Sequence, residues 1–199
     1  MKTTRSLSTQ KLVLGAILTA LVLLLQYMGS FIKFGPFSIS LVLIPIVIGA
    51  ATCGTGIATW LGFVFGFAVL ISGDAAVFLS VTIPGTIISV LLKGILCGLA
   101  ASLAYNASIK LFGKFKSGQY IAVVISAIVC PIVNTGVFLI CCTVFFMETI
   151  TQWALAANLG GGVAHYMIFG LVGINFIAEL VTNIVLSPIV TRLLKARNK

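Results

Sequence analysis

The chain has 199 residues, 60% of them hydrophobic and only 8% charged, with a formal net charge of +9 and a mean hydropathy of +1.25. A water-soluble domain of this size does not carry that much apolar surface, and long apolar runs recur along the whole length, so the chain reads as an integral membrane protein. No stretch between the runs is long enough for a soluble core, and no Gly-rich phosphate loop ending in Lys-Ser or Lys-Thr is present, which argues against ATP hydrolysis by this chain alone.

Six apolar segments follow in order, at residues 11–28, 40–51, 55–71, 85–107, 120–146 and 166–194. The first follows Lys2, Arg5 and Lys11 as a signal peptide would, but it is long for one and no small-x-small cleavage site follows, so it reads as a retained span. Within it Ala16 and Ala20 place two small side chains on one face, flanked by Gly15 and Thr19, a surface another helix can approach closely. Residues 34–40 alternate apolar and polar, as an extended loop or short strand does. The second segment is short for a span of roughly 20 residues. It reads as a broken span containing Pro45 or as a helix shielded by its neighbours, with Gly49, Gly54 and Gly56 making a tight junction to the third.

Ser72-Gly73-Asp74-Ala75 begins a loop expected to lie against the mouth of the bundle. The fourth segment carries Lys93, and the fifth contains Pro131 close to Asn134 and Thr135, where a lost backbone hydrogen bond is expected to break the helix and present both side chains. Residues 147–165 read as a mobile glycine-containing loop with Trp153 at an interface. In the last segment Asn175, Glu179 and Asn183 stand four residues apart on one stripe.

Basic residues set the orientation. With the N-terminus inside, ten of them (2, 5, 11, 110, 114, 116, 192, 195, 197 and 199) fall inside and only Lys33 outside. The expected architecture is therefore an all-α integral membrane protein of the cell membrane, one six-helix bundle over residues 1–199 with both termini cytoplasmic. The five cysteines lie in or beside apolar runs without zinc-like spacing and read as small buried hydrophobes, and the basic clusters read as topology signals and anionic-lipid contacts.

Counted at a 1.5 Å rise from the outer face, Lys93 lies roughly 12 Å deep, Asn175 roughly 15 Å, Asn134 roughly 18 Å and Glu179 roughly 21 Å. An ionisable group at such depth costs roughly 2.5–3.5 kcal/mol on insertion scales, so it normally faces a partner or a polar cavity. The blander reading is a buried Lys93–Glu179 pair with asparagines bridging helices. Convergence of polar groups from three segments in one layer favours a small-molecule site built from Lys93, Asn134, Thr135, Asn175, Glu179 and Asn183.

These features resemble the S components of energy-coupling factor (ECF) vitamin transporters. The resemblance rests on the basic N-terminus, Ala16-x-x-x-Ala20, the run Ile44-Pro45-Ile46-Val47-Ile48-Gly49-Ala50, Leu92-Lys93-Gly94, Pro131 to Gly136, and the Asn175, Glu179 and Asn183 helix. It covers nearly the whole chain and is greatest for the pantothenate branch, with the riboflavin branch next. It implies a high-affinity vitamin-binding membrane subunit without enzymatic activity or cofactor. Its partners would be a coupling transmembrane subunit, docked on Ala16 and Ala20, and two cytoplasmic ATPases, with loops after the first and third spans gating the outer mouth. For pantothenate, Lys93 would meet the carboxylate; for riboflavin, Tyr27, Phe34, Phe37 or Trp60 would stack; a cationic vitamin would favour Glu179. A stand-alone proton-coupled carrier using Glu179 is the alternative. An intramembrane enzyme is disfavoured by the single histidine and the lack of a Ser/His/Asp set.

Overall fold

A computed structural model describes residues 9–30, 33–34, 37–38, 41–157 and 161–197. Lys2, Arg5, Gly160 and Lys199 lie outside them, as do the side chains of Phe34, Phe37, Lys195 and Arg197. Helix α1 (Thr9–Gly29) leads to a two-residue hairpin, β1 (Lys33–Phe34) antiparallel to β2 (Phe37–Ser38), and then to α2 (Leu43–Thr52) and α3 (Thr55–Ile71). A single turn, α4 (Ala76–Leu79), precedes the long helices α5 (Ile83–Phe112) and α6 (Gly118–Phe145). The chain closes with α7 (Met147–Ala157), α8 (Gly162–His165), a π-helical segment over Tyr166–Val172, and α9 (Gly173–Arg197).

Four helical stretches are long and apolar enough to cross a membrane: Thr9–Gly29, Ile83–Phe112, Gly118–Phe145 and Gly162–Arg192. The 10-residue α2 is not. At 1.5 Å per residue it covers roughly 15 Å, about half the hydrocarbon thickness. Leu43, Ile46 and Val47 on it are almost wholly buried, so it is a helix shielded inside the bundle. Pro45 sits in its first turn, where a missing amide hydrogen costs nothing, and the helix is not broken there. The junction to α3 turns on Gly54, whose φ of 95° only glycine adopts freely.

Helices in a membrane gain little from the hydrophobic effect and associate instead through close van der Waals contact. Small residues supply it between α3 and α5. Gly62 and Gly66 face Gly94 and Gly98 across the crossing, and a Cβ added at Gly62 or Gly94 would overlap the other residue's carbonyl oxygen. Backbones therefore touch directly, and Lys93 is held one residue from that contact.

Both internal prolines differ from a simple break. Helix α6 runs unbroken through Pro131, so the expected interruption there is corrected to a continuous helix. Helix α9 runs through Pro188, and the Ser187 hydroxyl donates to the Ile184 carbonyl at 2.7 Å, the acceptor that the proline leaves without its usual amide. The segment expected as a mobile loop is mostly helical. Helix α7 buries Ile150 and Ala154, and Trp153 meets Phe78 edge-on at 5.7 Å rather than lying free at an interface.

Candidate functional site

Between the helices lies a cavity of about 710 Å³, a figure that includes open solvent at its mouth. Lys93, Asn134, Thr135, Asn175 and Glu179 all line it, from α5, α6 and α9. The structure thus brings five of the six expected site residues together. Asn183 is not in the lining, and its amide instead donates to the Glu179 carbonyl at 2.8 Å. Geometry explains the exclusion. A step of four residues overshoots one helical turn by roughly 40°, so Asn183 has rotated roughly 80° from Asn175. The polar stripe continues down α9 through Ser187 and Thr191, both buried and bonded to their own helix. It is a wrapped seam of which only the top faces the cavity.

The π-helical segment stands directly above that top. Such wide turns are rare and recur at functional sites. Here it contributes Val172 to the lining and delivers the chain to Asn175.

Four further polar residues complete the cavity. Gln26 of α1 is 2% exposed and donates to the Asp74 carboxylate at 2.5 Å and to the Ser72 hydroxyl at 3.3 Å. Asp74 itself lies in the turn after α3 and lines the same space, as do Thr86 and Ser89 of α5. The hydroxyls of Thr86 and Ser89 donate to the Thr82 and Gly85 carbonyls, at 2.7 and 2.6 Å, which leaves their oxygens as acceptors toward the cavity. Asn134 donates to the Glu179 carboxylate at 3.4 Å.

Amide orientation follows from these bonds, because an amide nitrogen is the end that a carboxylate attracts. The carbonyl ends of Gln26 and Asn134 are then left over. Among the described residues, the buried side-chain atoms without a hydrogen-bond partner are the carbonyl oxygens of Gln26, Asn134 and Asn175. All three residues line the cavity. Buried acceptors left unmatched cost roughly 1–3 kcal/mol each, so their concentration in one cavity marks a place where a donor-bearing ligand belongs.

Lys93 is the one basic residue of the lining among the described residues. Its Nζ lies 5.2 Å from the Phe138 ring centroid and 5.4 Å from that of Phe65, close enough for both rings to hold the ammonium. Phe78 of α4 also lines the cavity, packed edge-on against Phe138 at 5.5 Å and Phe146 at 5.0 Å. Tyr27 and Trp60, weighed as stacking groups, are not in the lining; Trp60 donates to the Thr19 hydroxyl at 3.2 Å on the outer side of α1 and α3. Ala16 and Ala20 are exposed on α1, whereas Gly15 is buried against Ile57, so the open small-residue face is narrower than the sequence suggests.

Gln26 was within reach of sequence reading as the amide in the middle of the first apolar run. Asp74 carried no such mark, since an acid in a glycine turn is ordinary. Phe78, Phe138 and Phe146 were indistinguishable from other apolar residues. The five cysteines are all buried and free, and no group of three or more His, Cys, Asp or Glu side chains placed to hold a metal occurs among the described residues.

The family described as "ECF transporter, substrate-specific component" matches residues 10–194. No curated protein matches the chain significantly. Among solved structures, ThiT from Listeria monocytogenes superimposes with a TM-score of 0.66 over 94% of each chain at 19% sequence identity, a likeness of fold.

Proposed function

The chain belongs to the ECF transporter substrate-specific component family, and from that premise we propose that it is the pantothenate-binding subunit of a vitamin importer. Members of this family are transport subunits rather than enzymes; they bind a vitamin and work with a membrane coupling subunit and ATPases. The observation that carries the choice of vitamin is the set of unmatched groups in the cavity. Three residues with an unmatched buried carbonyl oxygen, Gln26, Asn134 and Asn175, line the same cavity as a single cation among the described residues, Lys93. Pantothenate offers three donors, two hydroxyls and one amide N–H, and a single carboxylate. In this reading Lys93 meets the carboxylate, the three amide carbonyls take the three donors, and the Thr135 hydroxyl donates to an oxygen of the vitamin, while Glu179 holds the Asn134 amide in place. The acids Asp74 and Glu179 each already hold an amide donor, which moderates their repulsion of an anion.

The chain crosses the cell membrane with both termini cytoplasmic, and α2 stays shielded inside the bundle. Ala16 and Ala20 form the face on which the coupling subunit docks. The aromatic lining keeps riboflavin as the second candidate, through Phe78, Phe138 and Phe146 rather than Tyr27 or Trp60. A thermal-shift screen of the purified chain against the B vitamins tests the assignment. Pantothenate should give the largest stabilisation; a larger shift with riboflavin or with a cationic vitamin would replace it. Uptake by the chain alone in vesicles without ATPases would instead favour a proton-coupled carrier using Glu179.

A further inference from the structure

A second recess, of about 830 Å³ including open space, lies where α5 ends, α6 begins and α9 passes. Its polar lining is Lys116, Ser117, Gln119, Tyr120, Thr191 and Arg192, with Pro188 as its apolar wall. Among the described residues, two cations and no carboxylate line it, together with the Ser117 and Tyr120 hydroxyls and the Gln119 amide, which can share an anion's oxygens. We propose that this recess binds the phosphodiester headgroup of an anionic phospholipid.

The surroundings decide between a lipid and a soluble anion. Exposed apolar side chains stand near the cations of the recess: Leu111 at 71% and Phe115 at 64% just before Lys116 in the chain, and Val185 at 65% and Ile189 at 54%, which helical periodicity puts within about 60° of Arg192 on α9. Free phosphate would use only the cations and leave this flank unused. A phospholipid uses both parts, with its headgroup on Lys116 and Arg192 and its acyl chains along the flank of α9. Basic pockets at the ends of membrane helices suit such headgroups, and each basic residue near the surface contributes enough to change affinity severalfold. The site lies apart from the vitamin cavity and shares no lining residue with it, so it stands whether or not pantothenate is the cargo.

Native mass spectrometry of the full chain in detergent, titrated with phosphatidylglycerol or phosphatidylcholine, tests the assignment. Phosphatidylglycerol should bind preferentially and in a defined one-lipid stoichiometry. The double variant Lys116→Gln/Arg192→Gln should weaken it about thirtyfold, and each single variant about fivefold. The control Lys110→Gln/Lys114→Gln removes the same charge from exposed positions outside the recess and should change it less than threefold. Equal losses in variant and control would overturn the site, leaving only diffuse attraction. So would equal binding of phosphatidylcholine, or displacement of the lipid by millimolar inorganic phosphate. All of the substituted residues are exposed, and an unchanged thermal midpoint and monodisperse elution of each variant in detergent check that it is folded.

Discussion

Replacing Lys93 with Met keeps the length of the side chain and removes its charge, which isolates the contact assigned to the vitamin's carboxylate. Truncating one partner of a buried, hydrogen-bonded charge pair costs about 2–5 kcal/mol. Lys93 is only partly buried, because it faces the cavity, so a value near the lower half of that range, about 3 kcal/mol, is expected. That corresponds to roughly 150-fold weaker binding. The attraction to Phe65 and Phe138, 5.4 and 5.2 Å from Nζ, is lost in the empty and loaded protein alike and largely cancels. The informative assay is a four-way calorimetric comparison of wild type and Lys93→Met, each with pantothenate and with its alcohol analogue, in which a hydroxymethyl group replaces the carboxylate. The analogue should bind wild type about as poorly as pantothenate binds the variant, and the substitution should cost the analogue almost nothing. A coupling of about 3 kcal/mol between residue and carboxylate is the expected result. Coupling below about 0.5 kcal/mol would show that Lys93 does not meet the carboxylate.

Gly94→Val should lower the thermal midpoint sharply, by about 1–3 kcal/mol of overpacking, since its Cβ would meet the Gly62 backbone. Gly136→Ala, where an added Cβ meets nothing within 4 Å, should be neutral or slightly stabilising in the same scan. Phe78→Ala removes a cavity-lining ring packed on Phe138, Phe146 and Trp153; stopped-flow release of bound vitamin should accelerate at least tenfold, on the order of 1.5 kcal/mol of lost edge-to-face packing. Tryptophan at Ala16 and Ala20 together should abolish uptake in the presence of the partner subunits and leave binding by the purified chain within about twofold, an outcome of near-zero energy change. Lost binding would contradict a docking role for that face.

Much of the scaffold was legible because apolar runs and helix length are local properties. The long runs became α1, α5, α6 and the stretch ending in α9, and the stripe of Asn175 and Glu179 pointed to the cavity through a four-residue spacing alone. What the spacing could not convey was its drift, which carries Asn183 out of the lining. Helix α7 was hidden because Trp153 and the neighbouring glycines resemble a loop, and the cluster it packs on brings Phe78, Phe138, Met167 and Leu171 together from distant parts of the chain. The Gln26–Asp74 contact joins residues 48 apart in sequence, and neither alone announces the other. Gly62 and Gly94 likewise acquire meaning only once α3 and α5 cross.

The most direct measurement is equilibrium binding of radiolabelled pantothenate to the purified chain, with every other B vitamin as unlabelled competitor. Saturable binding of one pantothenate per chain, displaced by unlabelled pantothenate and by no other vitamin at the same concentration, is the predicted result. Absence of saturable binding, or complete displacement by a vitamin without a carboxylate, would contradict the assignment of Lys93 and the three amide carbonyls to pantothenate.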